Sequence, residues 1–264
     1  MFPWLMSRLR VGWRVLWLVV VVVLGVVLAT IFLRGVMPRQ GFVAALYCAW
    51  HRQVCRIFNA KITLHGDISK DTALFVANHI SWFDIIALGG VIPAGFLSKY
   101  EVRHWPVIGW LAKRAGTLFI RRGSTRAASE SSQLMADVLS RGEHIILFPE
   151  GTTTNGRGIK RFHARLYQSA IDAGTLVQPV VIRYPHPAGV HPHIPFIDNM
   201  GLLPSLYGLL KEKSICVELH FLEPIQAHGR QRTELARETE MRVRKQIDLD
   251  FPVSSGVATD DRGQ

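Results

Sequence analysis

No aspartate or glutamate occurs before Asp67. The same stretch carries Arg8, Arg10, Arg14, Arg34, Arg39, Arg52, Arg56 and Lys61. Taking those eight from the 31 Lys and Arg leaves 23 against 20 Asp and Glu, so most of the net charge of +11 belongs to the N-terminal quarter. Cations flanking a hydrophobic run read as attraction to anionic lipid headgroups. A nucleic-acid partner is not expected, because neither a zinc-finger spacing nor an RNP-like aromatic motif accompanies them. Cysteine is scarce too: Cys48, Cys55 and Cys216, none in a C-x-x-C. Cys48 and Cys55, on one helix, would lie about 10.5 Å apart, beyond disulfide reach. No cystine framework is implied, as in a reducing compartment. Also missing are a G-x-x-x-x-G-K-[ST] phosphate loop, a dinucleotide fingerprint and a G-x-S-x-G elbow. His186, His191 and His193 gather among prolines without an acidic or cysteine ligand set, so no metal is expected.

What the N-terminus does have is apolar length. Val15 to Leu33 carries no charge and includes the unbroken run Val19 to Val23. Nineteen residues at 1.5 Å each just cross a bilayer core of about 30 Å. A retained anchor is expected, with a buried or interfacial hairpin as the main alternative; a cleaved leader is disfavoured by the length of the run and the lack of a small-x-small site before Arg34. Gly41 to Phe58 is mixed, and fits either a helix lying in the membrane interface or one packed on the globular part. The flanking cations place the C-terminal side of the span in the cytoplasm, at the inner membrane. Residues 1–60 thus read as anchor plus interfacial helix, 61–251 as one domain and 252–264 as a disordered tail.

Beyond residue 60 short apolar strands alternate with helical segments. Strands are expected at Lys61 to His65, Thr72 to Val76, Gly95 to Ser98, Gly116 to Ile120, His144 to Phe148, Leu176 to Arg183 and Ser214 to Phe221. Helices are expected at Trp82 to Leu88, Val107 to Ala115, Ser124 to Ser140, Phe162 to Ala173, Leu203 to Lys211 and Thr233 to Ile247. Pro179 suggests an edge or a bulge. The alternation predicts an α/β fold with a mixed, largely parallel sheet flanked by helices.

The chemistry concentrates in Asn78-His79-Ile80-Ser81-Trp82-Phe83-Asp84. If the chain turns from strand to helix near Ser81, Asp84 folds back onto His79. A carboxylate on one ring nitrogen fixes the tautomer and raises the basicity of the other, as a general base for an alcohol requires. Alone, the run reads equally as a capped helix start with a satisfied histidine. Three further blocks follow: Gly116 to Arg122, Phe148-Pro149-Glu150-Gly151-Thr152, and Val177 to Ile182. Ligands in open α/β sheets bind beyond the carboxyl ends of strands, where the first three blocks fall.

Those four blocks, in that order, resemble the glycerolipid acyltransferase family, in particular bacterial 1-acylglycerol-3-phosphate (lysophosphatidate) acyltransferases. The likeness covers about residues 60 to 225. It implies a membrane enzyme that transfers an acyl group from a soluble thioester, acyl-CoA or acyl carrier protein, to the free hydroxyl of a lysophospholipid. His79 would be the base and Asp84 its orienter, with no acyl-enzyme and no cofactor beyond the acyl donor. Asn78 or backbone N–H groups would face the oxyanion. Glu150, Gly151 and Thr152 would line the acceptor pocket. Arg121 and Lys99, with Arg122 in reserve, match the family's acceptor-phosphate positions. One departure bears on the acceptor: members often continue with Arg-Ser after the third block, whereas this chain has Thr153-Thr154. Lysophosphatidate is therefore the first expected acceptor and a lyso-ornithine lipid the second. A non-catalytic lipid-binding module is the alternative outside enzymes.

Overall fold

Strand and helix alternate in the computed structural model much as the apolar pattern demands; the structure describes residues 3–33, 35–38, 40–121, 125–187, 189–197 and 200–250. The elements are α1 (Pro3–Phe32), α2 (Phe42–Ile57), β1 (Ala60–His65), β2 (Ala73–Ala77), α3 (Phe83–Gly89), β3 (Ala94–Lys99), α4 (Ile108–Arg114) and β4 (Leu118–Ile120). Then come α5 (Thr125–Ser140), β5 (His144–Leu147), α6 (Gln168–Asp172), β6 (Leu176–Arg183), α7 (Leu202–Lys211), β7 (Ile215–Phe221), β8 (Ile225–Gln226) and α8 (Arg232–Asp250). The proposed tail, 252–264, lies outside the described residues.

The strands form one mixed sheet in the order β1-β7-β6-β2-β5-β3-β4, with β8 beside β6. Five neighbours, β6, β2, β5, β3 and β4, run parallel, and β7 opposes β6. Every residue of β2 is buried, as in a strand covered on both faces. Phe75 and Ala77 face a core shared with α2, α3 and α7. Leu74 and Val76 face the core built with α5, α6 and α8.

One choice is resolved and one expectation needs correction. Of the two readings of Pro179 the edge is excluded and the bulge holds: β6 is flanked by β2 on one side and by β7 and β8 on the other, and Gln178 and Pro179 oppose three residues, Leu222, Glu223 and Pro224, between the two pairings. It is tolerated because it falls in the gap between the two antiparallel partners, β8 ending at Val177 and β7 starting at Val180. Its carbonyl still accepts the Leu222 N–H at 3.0 Å. The helix expected over Phe162 to Ala173 divides into a 3-10 turn, Ala164–Tyr167, and the short α6. The N–H groups of Phe162 and His163 go to the Glu240 carboxylate and the Pro149 carbonyl, which delays the helix start.

Helix α1 begins well before Val15, so Arg8, Arg10 and Arg14 lie within it rather than ahead of it. Met6–Phe32 is long and apolar enough to cross a membrane. One side of it, however, follows the domain. Arg14 is buried and donates to the carbonyls of Leu210 and Glu212; Arg10 donates to that of Lys211. These are the unpaired, electronegative carbonyls at the end of α7, a natural partner for a guanidinium. Further along, Trp50 Nε1 donates to the Val21 carbonyl at 2.8 Å and Arg114 to that of Leu33 at 3.1 Å. Gly25 permits this seating, since a Cβ there would stand 2.5 Å from Trp50 Nε1. The outer side, with Leu9, Trp13, Leu16, Val20, Val23, Val27 and Ile31, is exposed.

One face of the second helix packs on the globular part: α2 buries Tyr47, Cys48, His51, Val54 and Cys55 against the domain. His51 wedges against Gly89, where an added Cβ would lie 2.5 Å from the ring. Burial pushes its pKa from 6.5 down to about 4, the Tyr47 carbonyl pulling weakly the other way. Between those values the unfolded chain binds a proton and the folded one does not. Stability is therefore whole above about pH 6.5 and falls on acidification, by roughly 3 kcal/mol at pH 4. Denaturation of wild type and His51→Leu across that range checks this; equal pH slopes in the two proteins would refute it.

Candidate functional site

The turn after β2 is built around one carboxylate. Asp84, in the first turn of α3, is fully buried. Its Oδ2 accepts His79 Nδ1 at 2.8 Å and the backbone N–H groups of Ile80 and Ser81 at 2.7 and 2.9 Å. Its Oδ1 accepts the Tyr184 hydroxyl at 2.6 Å. Four donors on one buried carboxylate satisfy both its oxygens and fix its plane. Tyr184 is enclosed and held well above the usual phenol range, by burial first and by Asp84 second, so it stays a donor. With Nδ1–H directed at Asp84, the His79 Nε2 lone pair is left to accept a proton. The ring stacks on Phe148 at 4.0 Å and keeps partial exposure.

The third block meets this turn directly. Glu150, at the end of β5, is 3% exposed. Its Oε1 accepts the His79 N–H at 2.8 Å and its Oε2 the Lys160 N–H at 2.7 Å. Burial pushes the carboxyl up, opposed by those two hydrogen bonds. The Thr154 N–H closes the junction on the His79 carbonyl at 2.8 Å. Gly151 takes a φ of +70°, a left-handed value that suits glycine, as its N–H turns back to the Phe148 carbonyl. Thr152 is exposed.

The expected residues thus divide. His79, Asp84 and Glu150 converge, but the Glu150 oxygens hold backbone rather than facing an open pocket. Asn78 is fully buried, its amide bonded at both ends to Ile182, donating to O at 3.0 Å and accepting from N at 2.7 Å. It clamps the turn to β6 and is not placed to face an oxyanion. Lys99 and Arg121 end the parallel strands β3 and β4, on the same edge of the sheet as His79. Arg121 lies over the Tyr100 ring at 4.3 Å and, by hydrogen bond and charge, lowers that phenol's pKa. Three strand spacings, roughly 14 Å, separate β2 from β4. Arg122 lies outside the described residues.

Tyr184 and Phe148 were not singled out from sequence. Phe148 was visible inside the third block. Tyr184, one residue past β6, had no local signal, because its partner is a hundred residues away. His186, His191 and His193 lie in a row, with ring centroids 4.8 and 6.4 Å apart; His191 is buried and His193 pairs with Glu212 at 2.6 Å. His65, Glu218 and His220 do lie together on β1 and β7, their ligand-type atoms within 4.8 Å, with Glu218 also held by Arg183 at 3.1 Å.

Comparison with known proteins gives the family. A family model described as Acyltransferase matches residues 61–183. The chain is 42% identical over 243 residues to a lyso-ornithine lipid O-acyltransferase of Pseudomonas aeruginosa, covering 90% of this chain and 94% of that one. The chain belongs to the acyltransferase family. Over a shorter stretch, 149 residues, it is 38% identical to a 1-acyl-sn-glycerol-3-phosphate acyltransferase of Neisseria gonorrhoeae, covering 56% of this chain and 58% of the relative. The crystal structure of the 1-acyl-sn-glycerophosphate acyltransferase from Thermotoga maritima superposes with a TM-score of 0.63 over 79% of this chain and 80% of that one. At 21% identity that likeness speaks for the fold. This acyltransferase acts on lysolipids.

Proposed function

We propose that the enzyme moves a fatty acyl group from a soluble thioester, acyl-CoA or acyl carrier protein, to the hydroxyl of a lyso-ornithine-type lipid. The observation that carries the chemistry is the chain Tyr184–Asp84–His79, every link within 2.8 Å. His79 Nε2 takes the proton of the acceptor hydroxyl as its oxygen attacks the thioester carbonyl. Collapse of the tetrahedral intermediate breaks the carbon–sulfur bond, and the imidazolium returns the proton to the departing thiolate. The products are an ester and a free thiol. Asp84 holds the ring and stabilises the imidazolium; Tyr184 holds Asp84.

The acceptor rests on Thr153. Its hydroxyl donates to the Phe196 carbonyl, so the position where related enzymes often carry a phosphate-gripping arginine offers no cation. Lysophosphatidate, first in the expectation from sequence, is the second reading. Lys99 and Arg121 favour it, as two cations on the site edge. The outer face of α1 seats the enzyme on the inner membrane, with the site edge toward the cytoplasm, where both soluble donors occur.

A direct comparison decides the acceptor: purified full-length enzyme, labelled acyl donor, and either lyso-ornithine lipid or lysophosphatidate. A kcat/KM at least about tenfold higher for the amino-acid lipid is expected, equivalent to about 1.4 kcal/mol of transition-state preference. Thr153→Arg is expected to narrow that gap. Preference for lysophosphatidate by the wild type would reverse the assignment.

A further inference from the structure

From the turn after β3 into the first turn of α4 the chain raises a tip that the proposed reaction does not use. Trp105, Val107, Ile108 and Trp110 are all exposed on it. Four large apolar side chains within six residues are costly to leave in water. The tip is also shaped. Val107 has φ +62° and ψ −56°, and the Ile108 N–H reaches the Pro106 carbonyl at 2.6 Å, which defines a γ-turn with positive φ. For a β-branched residue this conformation is strained. Gly109 locks the tip down: a Cβ there would meet the carbonyls of Arg103 and Val102 at 2.3 and 2.5 Å. Strain held in a fixed, outward-facing apolar turn points to a role outside the core.

The surroundings identify the occupant. Residues 99–121 carry Lys99, Arg103, Lys113, Arg114 and Arg121 against Glu101 alone. Arg114 lies over the Trp110 ring at 5.2 Å and bonds the Leu33 carbonyl at the end of α1; the Gly35 N–H bonds the Arg114 carbonyl. The tip is therefore continuous with the exposed apolar end of α1, at Ile31 and Phe32, and with exposed Val36. An apolar point with aromatic shoulders and a cationic collar matches a bilayer: hydrocarbon inside, indole at the interface, anionic headgroups around.

We propose that residues 105–110 are a second membrane-inserting wedge, which enters the anionic leaflet beside α1 and holds the site edge at the lipid surface. Tyr100, under Arg121, starts the 3-10 turn that leads into the tip, so insertion brings the ends of β3 and β4 down to headgroup level. A lysolipid then reaches the site without leaving the bilayer. The wedge rests on the membrane-bound reading above.

The test uses the full chain in phosphatidylethanolamine–phosphatidylglycerol vesicles. Cys48 and Cys55 are buried, so a Cys216→Ser background leaves one added thiol for an environment-sensitive fluorophore. Val107→Cys and, separately, Ile108→Cys place it on the tip; Met241→Cys, exposed on α8, is the control. Expected are a blue-shifted tip label that acyl-chain-brominated lipids quench, less insertion when phosphatidylcholine replaces phosphatidylglycerol, and an unaffected control. Water-like emission at both tip positions overturns the wedge. So does a blue shift without bromolipid quenching, which would mean a protein covers the tip. Insertion independent of lipid charge overturns the collar. Kinetically, Ile108→Glu is expected to raise KM for a bilayer-embedded acceptor about tenfold, near 1.4 kcal/mol, with turnover of a monomeric short-chain acceptor unchanged. Absence of turnover with every acceptor would strike the catalytic assignment, while the quenching still decides the wedge.

Discussion

His79→Ala is expected to lower kcat by at least about 10²-fold, the usual contribution of a general base, with lipid binding retained. The fold should survive the change. Asp84 keeps the donors from Ile80, Ser81 and Tyr184, so no buried charge is stranded, and the His79 N–H to Glu150 is a backbone bond that alanine preserves. Single-turnover assays on vesicle-embedded acceptor, with a denaturation curve on the same preparation, separate chemistry from folding. Wild-type turnover in the variant would remove the base from the mechanism. Loss of turnover together with loss of structure would show that the ring matters chiefly to packing.

Glu150→Ala should carry the largest stability cost. It removes the acceptor for two backbone N–H groups, those of His79 and Lys160, at about 1–3 kcal/mol for each that no water rescues. The His79 turn and the 150–160 loop then lose their shared anchor, so kcat should fall with stability. The expectation from the motif was different: a carboxylate lining the acceptor pocket. That role predicts a raised KM at unchanged stability. Urea titration and a KM-against-kcat comparison on one variant choose between the two, and an unchanged midpoint would favour the pocket.

Much of the site was legible along the chain because its parts are local. Asp84 reaches His79 across a strand-to-helix turn, so residue type and spacing announce the pair. The apolar strands were legible for a similar reason: β2 and β5 are buried on both faces, and burial demands an unbroken apolar run. Partnerships across the fold were not. Asn78 stood beside backbone N–H groups as a candidate oxyanion donor until β6 supplied Ile182, and Pro179 read as either an edge or a bulge because the gap between β7 and β8 arises only when both strands dock.

The amino-acid sequence alone determined that this is an α/β chain with an apolar N-terminal helix and a histidine–aspartate pair, since periodicity and short-range spacing are written into consecutive residues. Only the tertiary structure decided that α1 is seated along the domain by Arg10 and Arg14, that Tyr184 completes the line behind Asp84, and that Glu150 holds backbone. Those contacts join residues from 71 to 201 positions apart. Their partners are chosen by where the sheet brings elements together, and no local pattern of side chains encodes that.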